Sequence, residues 1–101
     1  MHRGAEQDIF PHLGENPPGI VSFTATSWGR LLKPKKMPPA TPAPSAGDCY
    51  RFVLTRDEVD VCKMGVKDLQ MFYENMKVIE KGPMSAEELE RMRIIGDHIY
   101  R

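Results

Sequence analysis

Cysteine is scarce, with only Cys49 and Cys62 among 101 residues. Two thiols make neither a disulfide scaffold nor a four-ligand zinc set. Net charge is missing as well, because fourteen Lys and Arg offset fourteen Asp and Glu. Divided at Pro44, the chain carries five basic and three acidic residues before the cut, then nine and eleven after it. A +2 and −2 imbalance is too small to steer a polyanion, so no nucleic-acid footprint is expected. Long apolar runs are also lacking. Aliphatic stretches such as Ile20-Val21 and Ile94-Ile95 stop at two residues, whereas a bilayer-crossing helix needs roughly 20. The start, Met1-His2-Arg3-Gly4-Ala5-Glu6, has no apolar signal-peptide core. A protein of the reducing cytoplasm is therefore expected, touching no membrane and with both thiols buried as small hydrophobes.

Proline is plentiful. Five of the nine prolines, Pro34, Pro38, Pro39, Pro42 and Pro44, lie between Lys33 and Pro44. Lost amide donors and fixed φ angles make this stretch an extended surface connection, with Lys33, Lys35 and Lys36 as solvated charges. Upstream, Ala5 to Leu13 can form a short helix around Ile9 and Phe10, although Pro11 suits it poorly. Pro17-Pro18-Gly19 breaks the chain. Ile20 to Thr26 is β-branched and aromatic over strand length, and reads as a buried strand.

Downstream of the prolines the helix signals are clear. Ser45 and Asp48 form a capping box, and Ala46, Cys49, Tyr50, Val53 and Leu54 recur at helical spacing towards Arg56. Val59 to Cys62 is a second short strand, closed by Gly65. Asp68 can cap a helix whose stripe is Leu69, Phe72, Met76 and Ile79, a core stripe by its spacing. Gly82-Pro83 stops that helix, and Ser85 with Glu88 opens a last one carrying Leu89, Met92, Ile95 and Ile99. Strands alternating with helices imply an α/β arrangement with a parallel pair. Two parallel strands cannot cover two sheet faces, so the chain reads as part of a larger assembly.

Three stretches carry a family resemblance. Ile20-Val21-Ser22-Phe23-Thr24-Ala25-Thr26-Ser27-Trp28-Gly29-Arg30-Leu31-Leu32 resembles the seventh strand and following loop of aldo-keto reductases. Asp48-Cys49-Tyr50-Arg51-Phe52-Val53-Leu54 is similar to a helix before the eighth strand of such enzymes. Val59 to Lys67, continuing to Glu74-Asn75, resembles the eighth strand and the start of its cofactor helix, and Gly82 to Gly96 fits the closing helix. That family folds as a (β/α)8 barrel of TIM type. The resemblance thus implies a C-terminal barrel fragment of two parallel strands with three to four helices. Residues 1–19 would be the lead-in after strand six, 20–32 strand seven and its loop, 33–44 the proline-rich connection, and 45–101 the remainder. Met1 would match an interior position of a complete enzyme.

The resemblance also implies a cofactor and its contacts. Family members bind NADP(H) or NAD(H), with phosphates held at the loops after the last two strands. By position, Thr24, Ala25 and Thr26 match the pyrophosphate loop. Gly65 and Lys67 match the turn where a basic residue meets the adenosine 2′-phosphate. Asp68 stands at the cap of the cofactor helix, and Glu74 and Asn75 match an acid and amide near the adenine. Each has a plainer role available: Lys67 as a solvated lysine, Asp68 as an ordinary cap, Glu74 and Asn75 as helix surface. Asp68 replaces the usual Ser and Met71 a usual polar residue, which leaves NADH as open as NADPH. The catalytic Asp, Tyr, Lys and His of the family have no counterpart here. Tyr50, Tyr73 and Tyr100 fall on helices, and His2, His12 and His98 are scattered. Half a dinucleotide site with no catalytic or metal-binding residues is expected; the alternative is a small non-catalytic interaction module or truncated relic docking on another barrel fragment or a full-length relative. Trp28 packs the barrel mouth on this reading, or lines a substrate cleft.

Overall fold

The computed structural model describes residues 4–16 and 18–100. The likeness attached to Met1-His2-Arg3, and Pro17 of the breaker, lie outside the described residues. Four helices and two parallel strands make a small mixed α/β domain. In chain order these are α1 (Gly4–Asp8), β1 (Val21–Ser22), α2 (Ala46–Leu54), β2 (Val61–Cys62), α3 (Leu69–Ile79) and α4 (Ala86–Ile99).

The helices start where their side chains can satisfy free amides. At α2 the Asp48 amide donates to Ser45 Oγ at 3.1 Å, and the Ser45 amide donates to Asp48 Oδ2 at 3.0 Å. At α4 the Glu88 amide reaches Ser85 Oγ at 3.2 Å, and the Ser85 amide reaches Glu88 Oε1 at 3.1 Å. Asp68 caps α3 by accepting from the Met71 amide at 2.9 Å. Each such cap stabilises its helix by about 1 kcal/mol.

The core lies between α2, α4 and the loops around them. Leu31, Met37, Cys49, Phe52, Met84, Met92 and Ile95 form one buried cluster. Full burial of Met92 or Ile95 is worth roughly 1.5–3 kcal/mol each. α2 and α3 approach closely at Gly47, where an added Cβ would come within 2.7 Å of Val78 Cβ. Burial pushes the Cys49 thiol pKa up to about 12, with the nearby Asp48 charge adding to it. Cys62 is half-buried and its pKa is also raised, chiefly by burial.

Arg51 ties the α2–α4 junction together. Its side chain is buried, Nε donates to the Gly82 carbonyl at 2.7 Å, Nη2 donates to the Pro83 carbonyl at 3.2 Å, and the guanidinium pairs with Glu88. That pairing, with the amide of Ser85, holds the Glu88 carboxyl down to about 2. Thr55 completes the junction: its hydroxyl donates to the Arg51 carbonyl at 2.7 Å and accepts from the Met84 amide at 3.0 Å.

Several sequence expectations are corrected. The buried strand over Ile20–Thr26 is ordered as a ladder only at Val21–Ser22, and Val21 and Phe23 are exposed. Strand propensity expresses itself only where a neighbour provides a ladder and a cover, and β1 has a single partner. After Phe23 the chain turns at once, with the Ser27 amide donating to the Thr24 carbonyl at 2.8 Å. The second strand shortens likewise from Val59–Cys62 to Val61–Cys62. Ala5–Leu13 is two short pieces, α1 and a 3-10 turn at Phe10–His12, because Pro11 stands at the start of the second. The proline-rich connection is not uniformly extended or solvated: Pro34–Lys36 is a 3-10 turn, Met37 enters the core and Pro44 is buried. Proline at a first turn forfeits no hydrogen bond, which lets the turn form.

The α3 stripe is corrected as well. Leu69 and Phe72 are exposed, Met76 and Ile79 half-buried, and the buried residue of α3 is Asn75. Among the described elements α2 packs most closely on this helix, and the rest of its apolar side is left partly uncovered. Trp28 projects from the domain and is 82% exposed.

Candidate functional site

Parallel pairing decides where the loops gather. Val21 aligns with Val61 and Ser22 with Cys62, and the Lys63 amide donates to the Ser22 carbonyl at 2.8 Å. Both strands therefore end at the same edge of the sheet, and the loops Phe23–Gly29 and Lys63–Asp68 leave side by side. Below them, Asp60 Oδ2 accepts from the Ile20 amide at 2.7 Å and fixes the register.

The first loop carries Thr24, Ala25 and Thr26. Thr24 is exposed with φ +53°, and its hydroxyl donates to the Phe23 carbonyl at 2.7 Å. Ala25 packs against the core cluster. Thr26 Oγ1 accepts from the Gly29 amide at 3.3 Å. Ser27 and Trp28 also hold positive φ angles, +52° and +53°. Three left-handed residues that are not glycine, within five positions, store backbone strain of about 1 kcal/mol or more each.

The second loop carries Gly65, Lys67 and Asp68. Gly65 is exposed, and no atom stands within 4 Å of where a Cβ would be. Lys67 is exposed beside the first turn of α3. Asp68 gives one carboxylate oxygen to the helix cap, which leaves the other as an acceptor facing water.

Glu74 and Asn75 are separated by about 100° around the helix, as adjacent residues must be. Glu74 is exposed and accepts from Gln70 Nε2 at 2.9 Å, while Asn75 is buried with Nδ2 3.5 Å from Met64 Sδ. The structure thus brings the two strand-end loops together and turns the Glu74-Asn75 pair apart.

Two features escaped the sequence reading. At the opposite end of the strands, a cavity of about 690 Å³ is lined by Phe10, Leu13, Pro18, Asp57, Glu58 and Asp60 among others. Its acids are largely engaged in structure: Glu58 pairs with Arg56 at 3.1 Å and Asp60 holds Ile20. Nearby, Glu6 bridges Arg93 at 3.1 Å and Arg56 at 3.6 Å, joining α1 to α4 across the chain. The run Asp57-Glu58-Val59-Asp60 was the available signal for the first. Nothing local in the sequence signals the second, since its members are 37 to 87 positions apart.

Among the described residues, no group of three or more His, Cys, Asp or Glu is placed to hold a metal ion, and no helix is long and apolar enough to cross a membrane. No family model matches the chain, no curated protein matches it in sequence, and no solved structure matches it in fold.

Proposed function

We propose that this chain is the C-terminal, dinucleotide-binding part of an aldo-keto reductase-like barrel, inactive in carbonyl reduction by itself. The observation that carries the reading is the parallel β1–α2–β2 unit, with the loops after both strands at one edge and a capped helix following the second. Open α/β units receive phosphate-bearing ligands outside the carboxyl ends of their strands.

The donor set suits a dinucleotide in part. Lys67 offers a positive charge at the start of α3, where helix amides and dipole already favour a phosphate. The outward oxygen of Asp68 can accept from a ribose hydroxyl but repels a phosphate placed there. NADH is therefore the better fit and NADPH the poorer. Asn75, turned onto Met64, contributes no adenine contact in this conformation. The bound nicotinamide supplies hydride chemistry in a complete enzyme. Here Lys67 holds charge, Asp68 selects between ribose forms, and the strained Thr24–Trp28 turn shapes the loop beside them.

Trp28, the single tryptophan, lies in that loop and reports on the site. Titrating the purified chain with NADH should quench its fluorescence saturably, with NADPH binding more weakly. Lys67→Ala should weaken NADPH binding, through its 2′-phosphate, about tenfold, equivalent to about 1.4 kcal/mol, with a smaller effect on NADH, and Asp68→Ser should move preference towards NADPH. Absence of saturable quenching, or aldehyde turnover by the chain alone, overturns the proposal.

A second reading is an interaction module, favoured by the apolar sheet face that the domain leaves open at Val21, Phe23 and Val61.

A further inference from the structure

Strand alternation places Val21 and Val61 on one face of the sheet and Ser22 and Cys62 on the other, with Phe23 just beyond the end of β1. The second face is half-covered. The first is bare, with Val21 and Val61 about half exposed and Phe23 67% exposed. Ile9, itself 52% exposed, borders a groove of about 480 Å³ that also includes Val21, Phe23 and Val59. Phe23 therefore forms part of the wall of a largely apolar hollow along β1, which Ile20 and Ser22 also line.

Total area says how much cover is missing. A compact monomer of 11.5 kDa exposes about 5,800 Å². This chain exposes 6827 Å², an excess of about 1,000 Å², and a standard interface buries about 800 Å² on each partner. The radius of gyration agrees: 13.7 Å against about 12.7 Å for a compact domain of this length. With zero formal net charge, identical copies carry no overall repulsion to overcome.

We propose that a second copy of this chain covers the open face, in a two-fold dimer that seats each copy's Phe23 in the other's groove between Ile9 and Val21. A two-fold contact needs a self-complementary surface, and the exposed Phe23 ring in the wall of its own groove, beside exposed Val21, supplies one. The proposal names the partner of the interaction-module reading and is separate from the dinucleotide reading, since it uses the sheet face and not the strand-end loops.

Sedimentation velocity on the intact chain from about 1 to about 300 µM tests it, because dimer fraction must rise with concentration. Wild-type chain should pass from monomer to dimer. Phe23→Glu and Val61→Lys should each weaken association at least about tenfold, with helical circular dichroism unchanged. Ile94→Glu, on the outer side of α4, should leave it intact. A chain that stays monomeric overturns the proposal, as does a dimer that survives both face variants or one abolished equally by Ile94→Glu. If Phe23→Glu fails to fold, Val61→Lys alone decides between these outcomes. NADH titration run in parallel keeps the readings apart: loss of dimer with binding retained rejects only this one.

Discussion

Met92 and Ile95 on α4 are at most 1% exposed, while Val21 and Val61, paired across the sheet, stand about half in water. All four are aliphatic or thioether side chains on regular elements. The difference lies in what surrounds them. α4 faces α2 and the loops that carry Leu31, Met37 and Met84, so its stripe is enclosed. The sheet has two strands and one covered face, so alternation sends half its apolar residues outward. The helical part of the chain is stabilised by packing, and the sheet by its ladder and by Asp60.

The sharpest way to break this contrast is truncation on both sides. Ile95→Ala should lower the stability to urea by about 3 kcal/mol, the usual range for a sealed aliphatic site that keeps a cavity. Val61→Ala, measured at a concentration where the chain is monomeric, should cost less than about 0.5 kcal/mol. Comparable losses at the two positions would show that the sheet face is covered even in the monomer.

The Arg51 junction gives a smaller effect with a pH signature. Arg51→Ala strands the Gly82 and Pro83 carbonyls and leaves Glu88 without its partner; a loss of about 2 kcal/mol is expected for a buried, charge-assisted donor set. Glu88 has a folded pKa of about 2 against an ordinary value of 4.5. A lowered folded pKa means the unfolded chain binds the proton first. Its contribution is full above about pH 4.5 and is lost as pH falls towards 2. The urea midpoint should therefore drop across that window in the wild type. The drop should flatten in Glu88→Gln and Arg51→Ala, whereas Val61→Ala should keep the wild-type profile.

How much of this was legible in the sequence follows the same division. Ser45 with Asp48, Ser85 with Glu88, and Asp68 are local signals, and all three caps formed where the spacing put them. The parallel pairing also followed from element order. Burial did not, because it depends on neighbours far along the chain. Leu69 and Phe72 have the spacing of a core stripe, yet they are 70% and 39% exposed, and Asn75 is buried in their place. Met37 sits in a proline-rich run that reads as solvated, yet it fills the core beside Leu31. Of the candidate site, the two loops and the Asp68 cap were legible as neighbours of strand ends. The inward turn of Asn75 was not, since only the position of Met64 decides it.

The finest test concerns the strained turn after β1. Trp28 holds φ +53° while 82% exposed. A left-handed conformation costs an L-residue about 1–2 kcal/mol, and glycine escapes that cost. Glycine also adds freedom to the unfolded chain, an opposing effect of about 0.5–1 kcal/mol. Trp28→Gly should therefore stabilise the chain by about 0.5–1 kcal/mol. The same removal from an enclosed site costs about 3–5 kcal/mol. Thermal and urea unfolding followed by circular dichroism read the sign without the lost fluorophore. A loss above about 1 kcal/mol would mean that Trp28 packs on the domain. The turn would then be held by side-chain contact, like the helices, and not by the backbone bonds from Ser27 to Thr24 and from Gly29 to Thr26.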